Sequence, residues 1–168
     1  VLNVEMASTG EVACLGDSFE EAFLKALLSV GYRFPEKNIL LSTGPFESKA
    51  LFLPDARRLN DLGFSLFATP GTADFLNYHN ISTHVLHWPS ENREPDVLSF
   101  IRDRKLDLII NIPRSTRAQH LAEDYRVRRA AVDFNIPLIT NLQFAERFID
   151  GISRLNLDDL AIKAWDEY

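Results

Sequence analysis

The sequence predicts an α/β domain in which a parallel β-sheet of five strands carries helices on both faces, a three-layer sandwich. Two observations predict this fold. Short apolar runs alternate five times with segments whose apolar residues recur at helical spacing. Gly-Pro and Pro-Gly dipeptides interrupt the chain where strands are expected to end. Strands that are separated by helices pair in parallel, and such sheets are covered on both faces.

The first helix has the clearest signals. Asp17 and Ser18 are residue types that cap helix N-termini, and Gly31 suits a C-terminal end. Between them apolar residues recur at the i, i+3, i+4 spacing of one helix face. Further helices are predicted at about 51–62, 73–79, 96–105, 123–134 and 141–154. The predicted strands are 38–43, 64–69, 81–88, 106–112 and 136–140.

The alternation of strands and helices sets the expected domain organisation. We expect residues 17–155 to form the domain, with a connector at 1–16 and a tail at 156–168. The first residue is not methionine, so we expect the chain to be a piece of a longer protein. Internal repeats and low-complexity tracts are absent from the sequence.

The composition indicates one ordinary globular domain. The chain has 168 residues, of which 46% are hydrophobic and 25% are charged. Its formal net charge of −6 argues against nucleic acid as a partner. Cys14 is the single cysteine, which excludes an internal disulfide and fits a reducing compartment. The sequence has neither a signal peptide nor the run of roughly 18 apolar residues of a membrane span, so we expect no membrane partner.

Charge is unevenly distributed along the chain. Between Arg93 and Arg129 there are nine Lys or Arg residues and six Asp or Glu residues, although the protein is acidic as a whole. A local basic region of this size suits a small anion better than a polyanion.

A candidate binding site lies at one edge of the predicted sheet. Ligands of open parallel sheets bind beyond the carboxyl ends of the strands. The residues after those ends are mainly hydroxyls, amides and cations, which donate to phosphate or carboxylate oxygens, and a glycine that allows close backbone approach. The predicted site residues are Ser42, Lys49, Thr69, Gly71, Thr72, Trp88, Asn111 and Arg114.

Structural roles compete with this interpretation. Ser, Thr and Asn are common at strand ends and caps, and Thr72 and Asn141 taken singly are more typical of helix caps. Arg114 taken singly is more typical of a solvated loop. The coincidence of polar residues after three strand ends is what favours a pocket.

A catalytic or metal-binding constellation is not predicted. Cys14 has no histidine nearby in the sequence. His84 and His87 are three residues apart on a predicted strand, so they point to opposite faces and do not chelate one metal ion. Neither a Walker A motif nor a G-x-G-x-x-G motif occurs.

Several segments resemble one enzyme family. Residues 5–13 (EMASTGEVA) resemble the end of the second ATP-grasp unit of carbamoyl-phosphate synthetase large subunits, so the connector would come from that unit. The chain after this segment, to about residue 154, resembles their C-terminal methylglyoxal-synthase-like domain. The matching segments are 22–31 (AFLKALLSVG), 66–72 (LFATPGT), 107–113 (DLIINIP), 125–133 (YRVRRAAVD) and 136–141 (IPLITN).

The resemblance implies a methylglyoxal-synthase-like fold with strand order 3-2-1-4-5 and an allosteric site at the carboxyl ends of the strands. Bacterial members bind nucleotides such as UMP and IMP there, and urea-cycle members bind N-acetylglutamate. Thr69, Thr72 and Asn111 match contacts of both types.

Other positions match only one type of effector site. Ser42 and Lys49 match positions that hold phosphate in the nucleotide type, and Trp88 matches a contact of the N-acetylglutamate type. Arg114 and Asp124 stand where the N-acetylglutamate type has asparagines, which argues against that effector.

Two further departures concern nucleotide binding and activity. Ile112-Pro113 comes after Asn111 where the bacterial nucleotide binders have two threonines. The acidic motif that carries the catalytic aspartate of true methylglyoxal synthases is not found, nor is their histidine-containing segment. We therefore expect no enzymatic activity from this domain alone.

The resemblance implies a regulatory module with no cofactor of its own, which binds a small anionic effector such as UMP or IMP. The alternatives are an N-acetylglutamate-type effector, a stand-alone methylglyoxal-synthase-type lyase and a ligand-free interaction domain. The parent enzyme would use ATP with Mg²⁺ or Mn²⁺, bicarbonate, and glutamine or ammonia to make carbamoyl phosphate for arginine or pyrimidine synthesis. Expected partners are the rest of the large subunit, the glutaminase subunit and a second copy of this domain. The expected location is the cytoplasm, or the mitochondrial matrix for a urea-cycle type.

Overall fold

A computed structural model describes residues 10, 12–113, 118–160, 163 and 167 of the chain. The side chains at 118–121 and 159 are not described either. Most of the expected connector and the predicted site residue Arg114 therefore lie outside the described residues.

The described residues form a five-stranded sheet in which every pairing is parallel. The strand order is β3-β2-β1-β4-β5, which confirms the predicted fold and the order implied by the resemblance. The strands are β1 (Asn38–Ser42), β2 (Ser65–Ala68), β3 (His84–Val85), β4 (Leu108–Asn111) and β5 (Leu138–Ile139).

Six helices flank these strands in the described part of the chain. They are α1 (Phe19–Ser29), α2 (Phe46–Asp61), α3 (Pro70–Tyr78), α4 (Val97–Arg102), α5 (Ala118–Asp133) and α6 (Leu142–Arg154). Short 3₁₀ turns lie at Pro89–Glu91 and Leu157–Asp159.

Local side-chain chemistry explains where several helices begin. The Ser18 hydroxyl accepts a hydrogen bond from the backbone N–H of Glu21, and Asn141 caps α6 by accepting from the N–H of Phe144. Asp96 caps α4 in the same way. Gly31 comes after α1 with φ of +78°, a left-handed conformation that glycine adopts without strain. The predicted boundaries of α1 and the start of α6 are thus confirmed.

Three predicted helix starts were wrong. Helix α5 begins at Ala118 rather than at about residue 123, and the other two errors affect the site. Helix α2 begins at Phe46 rather than at about residue 51, because Pro45 occupies the N-cap position with φ of −58° and leads directly into the helix. Lys49 therefore lies in the helix and not in a loop. Helix α3 begins at Pro70, with Thr69 at the N-cap position, so Thr72 is inside the helix and does not cap it.

The third strand is shorter than predicted. Only His84–Val85 pairs with β2, although residues 81–88 have a strand-like pattern. Beyond this short edge strand, His87 forms an isolated bridge with Asp96 instead. Short edge strands are a common protection of open sheets.

Two hydrophobic clusters cover opposite faces of the sheet. Side chains alternate along β1, so that Ile39 and Leu41 join one cluster and Leu40 joins the other, and all three are fully buried. The first cluster includes residues of α1, α2, α3 and α6, and the second includes residues of α4 and α5. The sheet is thus the middle layer of three.

Asp55 is a buried acid on α2 with charged neighbours on α2 and α6. The Asp55 side chain is 6% exposed and its Oδ1 has no hydrogen-bond partner within the described structure. Arg58 lies 3.7 Å from Asp55 and 3.1 Å from Asp150. Burial raises the pKa of Asp55, Arg58 lowers it, and the charges of Glu146 and Asp150 raise it further.

This raised pKa means that ionised Asp55 is less favourable in the folded state than in the unfolded chain. We expect Asp55→Asn to raise the free energy of unfolding at pH 7, on the order of 1 kcal/mol. The gain should vanish near pH 3, where the acid is largely neutral in both states. Urea denaturation across this pH range measures it, with the exposed Asp61→Asn on the same helix as control. An equal gain at both pH values would contradict the electrostatic cause.

Candidate functional site

Four buried hydroxyls meet at the carboxyl edge of the sheet. Ser42 is the last residue of β1 and Thr43 comes directly after it, Thr69 comes directly after β2, and Thr72 lies in the first turn of α3. Each of the four residues is at most 3% exposed. We call these residues the hydroxyl cluster.

Thr72 is the centre of the hydroxyl cluster. Its Oγ1 accepts a hydrogen bond from the backbone N–H of Thr43 at 3.1 Å and donates to the carbonyl oxygen of Thr43 at 3.2 Å. Thr69 Oγ1 lies 3.3 Å from Ser42 Oγ and 3.4 Å from Thr72 Oγ1. One side chain of α3 therefore ties the helix to the end of the central strand.

The start of α3 explains why these hydroxyls are available to one another. The carbonyl oxygen of Thr69 accepts from the N–H groups of both Thr72 and Ala73 at 2.8 Å, so the first helical turn is closed by backbone alone. The Thr69 side chain makes no capping bond. The backbone N–H of Thr69 donates to the carbonyl oxygen of Leu41, and this bond holds the start of α3 against β1.

Lys49 brings a positive charge to the same place. Its Nζ donates to the carbonyl oxygen of Gly71 at 2.6 Å. A Cβ atom on Gly71 would lie 3.4 Å from this Nζ, so the glycine leaves room beside the ammonium group. Because the N-terminus of a helix is itself positive, Lys49 and α3 together create a potential that an anion would neutralise.

Asn111 lies on the neighbouring strand beside Ser42. The two residues are register partners across β1 and β4, and the N–H of Ile112 donates to the carbonyl of Ser42 at 2.8 Å. Asn111 is fully buried, and its Nδ2 donates to Oδ1 of the buried Asp124 at 3.2 Å. Its own Oδ1 is buried without a partner in the described structure.

The structure thus brings together six of the predicted site residues: Ser42, Lys49, Thr69, Gly71, Thr72 and Asn111. Trp88 is placed differently. It is 6% exposed and belongs to the hydrophobic cluster under α4 and α5, where Leu40 and Ile109 lie. Arg114, outside the described residues, stays a prediction as a site residue.

Two residues of this edge were missing from the predicted site. Thr43 contributes mainly its backbone, a role that no side-chain pattern indicates. Asp124 is buried against Asn111, and a signal for it did exist: it shares a helix face with Val127 and Ala131, which are both fully buried. A carboxylate on an otherwise apolar helix face indicates a polar partner inside.

Metal ligation receives no support from the described residues, which contain no group of three His, Cys, Asp or Glu that could hold a metal ion. The His84 ring packs on Phe67, and His87 Nδ1 lies 2.9 Å from a carboxylate oxygen of Glu91. Over the same part of the chain, none of the helices has the length and apolar character needed to cross a membrane.

Comparison with known proteins finds similar sequences inside much larger proteins. The family description that matches residues 52–140 is "MGS-like domain". Multifunctional protein pyr1-3 of Dictyostelium discoideum is 44% identical over 91% of this chain and 7% of that protein, and multifunctional protein URA2 of Saccharomyces cerevisiae is 42% identical over 92% and 7%. The mitochondrial carbamoyl-phosphate synthase [ammonia] of Homo sapiens is 42% identical over 92% of this chain and 10% of that protein. The chain spans a tenth or less of the length of these relatives.

A solved structure shares the fold. Methylglyoxal synthase from Elizabethkingia anophelis NUHP1 matches with a TM-score of 0.54 over 79% of this chain and 90% of that chain. The two sequences are 17% identical, so the likeness shows the fold alone.

The central position of Thr72 leads to a stability prediction. Thr72→Val keeps the side-chain volume but leaves the buried N–H of Thr43 without its acceptor, which should lower the free energy of unfolding by about 1–3 kcal/mol. Thr43→Val is the matched control, because it keeps that N–H bond and loses only a hydroxyl contact of 3.5 Å. Urea denaturation of both variants measures the difference. Equal losses would show that the bond to the Thr43 backbone is not the important one.

Proposed function

Because the chain belongs to the family of MGS-like domains, we propose that it is an effector-binding domain of a carbamoyl-phosphate synthase. The effector would be a small anion held at the carboxyl edge of the sheet. The residues proposed to bind it are Ser42, Lys49, Thr69, Gly71, Thr72 and Asn111.

The observation that carries this proposal is the meeting of the hydroxyl cluster with Lys49 at the N-terminus of α3. Hydroxyls rotate to donate, an ammonium group supplies charge, and a helix N-terminus supplies N–H groups and a favourable dipole. This set of groups is matched to phosphate or carboxylate oxygens.

The bonds inside the hydroxyl cluster are easily exchanged for bonds to a ligand. The oxygen pairs are 3.3–3.5 Å apart, longer than the usual 2.7–2.8 Å of an O–H···O hydrogen bond. Because these residues are buried, an effector that binds their hydroxyls must displace the side chains that cover them. Replacing long hydroxyl pairs with charge-assisted bonds would offset part of that cost.

The buried acceptors at the site favour a nucleotide such as UMP or IMP over N-acetylglutamate. Asp124 accepts a hydrogen bond from Asn111, and the Oδ1 of Asn111 is itself a buried acceptor, so a second carboxylate on the ligand near this point would bring further acceptor oxygens to a place that lacks donors. A phosphomonoester whose remainder carries hydrogen-bond donors avoids that mismatch. Hydrogen-bond donors on the ribose or base would suit this acceptor-rich end of the site.

The parent protein is proposed from the relatives. They are much longer than this chain, and one is named as a carbamoyl-phosphate synthase. We infer that residues 17–155 are its regulatory domain, and that the ATP and Mg²⁺ or Mn²⁺ sites lie in other domains. The rest of the large subunit, a glutaminase and a second copy of the domain are the proposed partners, in the cytoplasm or the mitochondrial matrix. Effector binding would regulate the parent only if the parent's active and inactive states bind it with different affinities.

Effector binding is tested by thermal stability and calorimetry with UMP, IMP and N-acetylglutamate. A ligand at 100 times its Kd should add about 2.7 kcal/mol to the free energy of unfolding. Lys49→Met should weaken nucleotide binding tenfold or more, because one charge-assisted bond to the anion is lost. Lys105→Met is the control, since the Lys105 carbonyl pairs with Asn38 at the opposite end of β1.

Three outcomes would contradict the proposal. If none of the three compounds binds, the domain is a ligand-free interaction module. If Lys49→Met and Lys105→Met weaken binding equally, the effector lies elsewhere. Release of methylglyoxal from dihydroxyacetone phosphate by this chain would identify it as a lyase instead.

A further inference from the structure

The side-chain amide of Asn111 is only half satisfied. Its Nδ2 donates to Asp124 Oδ1 at 3.2 Å, while its Oδ1 is buried and has no partner in the described structure. An unpaired buried acceptor is costly, and proteins rarely keep one without a use for it. The orphan oxygen therefore requires an explanation.

Asp124 fixes which way this amide faces. The Oδ1 of Asp124 accepts the hydrogen bond in this pair, so it meets the NH₂ side of the amide. Turning the amide over would bring two acceptor oxygens together in a buried place. Asp124 thus keeps the carbonyl oxygen of Asn111 on the opposite side of the amide, as an acceptor that cannot become a donor.

This acceptor stands one strand away from the hydroxyl cluster. Asn111 and Ser42 are register partners, and neighbouring strands are about 4.8 Å apart. Ser42 Oγ in turn lies 3.3 Å from Thr69 Oγ1. A small ligand bound at the hydroxyl cluster and Lys49 therefore extends within reach of Asn111.

We propose that the site is bipolar and that Asp124 is a positioning residue for ligand specificity. This inference rests on the proposed function. The end with Lys49 and the hydroxyl cluster takes the anion, and the orphan oxygen of Asn111 requires an N–H or O–H donor on the same ligand. An anion that lacks such a donor leaves the acceptor unpaired and binds weakly.

The orphan oxygen favours ligands that carry a hydrogen-bond donor. It is buried and has no partner in the described structure. A ligand with an N–H or O–H group in reach supplies the missing hydrogen bond. Such a ligand is therefore favoured over a plain anion by one hydrogen bond that the anion cannot make.

The test compares two phosphomonoesters, UMP and methyl phosphate, by calorimetry on the 168-residue chain. Methyl phosphate carries the same kind of anion but has no donor at pH 8. In Asp124→Asn the amide of Asn111 is free to turn and offer its NH₂ group. We expect the Kd of methyl phosphate divided by the Kd of UMP to be at least tenfold lower in Asp124→Asn than in the wild-type chain, because methyl phosphate binds more tightly to the variant.

The matched control is Asp133→Asn, which makes the same charge change on the same helix. Asp133 is exposed and pairs with Arg129, so its replacement should leave the ratio unchanged. If Asp124→Asn does not fold, Asn111→Ala decides. Loss of the acceptor should raise the Kd of UMP about tenfold and leave the Kd of methyl phosphate unchanged.

The outcomes separate this inference from the proposed function. If the wild-type chain binds neither of these compounds, nor IMP or N-acetylglutamate, the proposed function fails, and the inference fails with it. If UMP binds but neither substitution changes the ratio relative to Asp133→Asn, the bipolar site is wrong and the anion site stands. An equal weakening of both ligands in Asp124→Asn and Asn111→Ala would assign both residues a structural role only.

Discussion

The register between β1 and β4 is the constraint on which the rest of the site depends. Apolarity does not fix this register, because Ile39, Leu40 and Leu41 are buried on both faces and a shifted strand would be equally apolar. Polar contacts at the opposite end of the strands fix it instead. The Asp107 carboxylate accepts from the N–H groups of Lys37 and Asn38 at 2.8 and 2.7 Å. These contacts at the amino ends set Ser42 beside Asn111 at the carboxyl ends.

The hydroxyl cluster links ligand recognition to the packing of α3. Thr72 holds the helix to the backbone of Thr43, and the same oxygen is within reach of an anion. A ligand that recruits this hydroxyl must share or replace a contact that positions the helix. Because α3 packs on α2, which carries Lys49, the first turns of both helices would respond to occupancy together. A site built on structural contacts in this way is suited to changing shape when it is filled.

The sequence predicted the features that depend on local chemistry and failed where distant contacts decide. The fold class, the presence of five strands and the Ser18 and Asn141 caps are set by spacing and residue type, and the structure confirms them, although the third strand is shorter than predicted. The start of α2 was wrong because Pro45 serves as an N-cap, which the Gly-Pro pair concealed. Thr72 was interpreted as a cap because its bonds to Thr43 join residues 29 positions apart.

Trp88 illustrates the same limit for a large side chain. The position after a strand suggested a place in the site, but burial in the cluster under α4 and α5 settles where its ring lies. An indole removes a large apolar area from water when it packs in a core, and a strand-end position does not show which face it will join. Its proposed contact with an effector therefore remains a prediction.

Buried polar atoms without partners do not all have the same meaning in this protein. The Tyr32 hydroxyl has no hydrogen-bond partner in the described structure, packs beside the larger hydrophobic cluster and lies on no strand of the site. Asp55 Oδ1 also lacks a hydrogen bond, but Arg58 lies 3.7 Å from it. Asn111 keeps an unpaired oxygen at the carboxyl edge, in a strand paired with the strand that ends at Ser42, and a second buried group holds its orientation. An orphan atom that nothing orients is a cost that relaxation could remove. An orphan atom that a buried carboxylate holds in place carries two costs, the unpaired acceptor and the burial of the carboxylate. Such an arrangement is understandable when a ligand supplies the missing hydrogen bond.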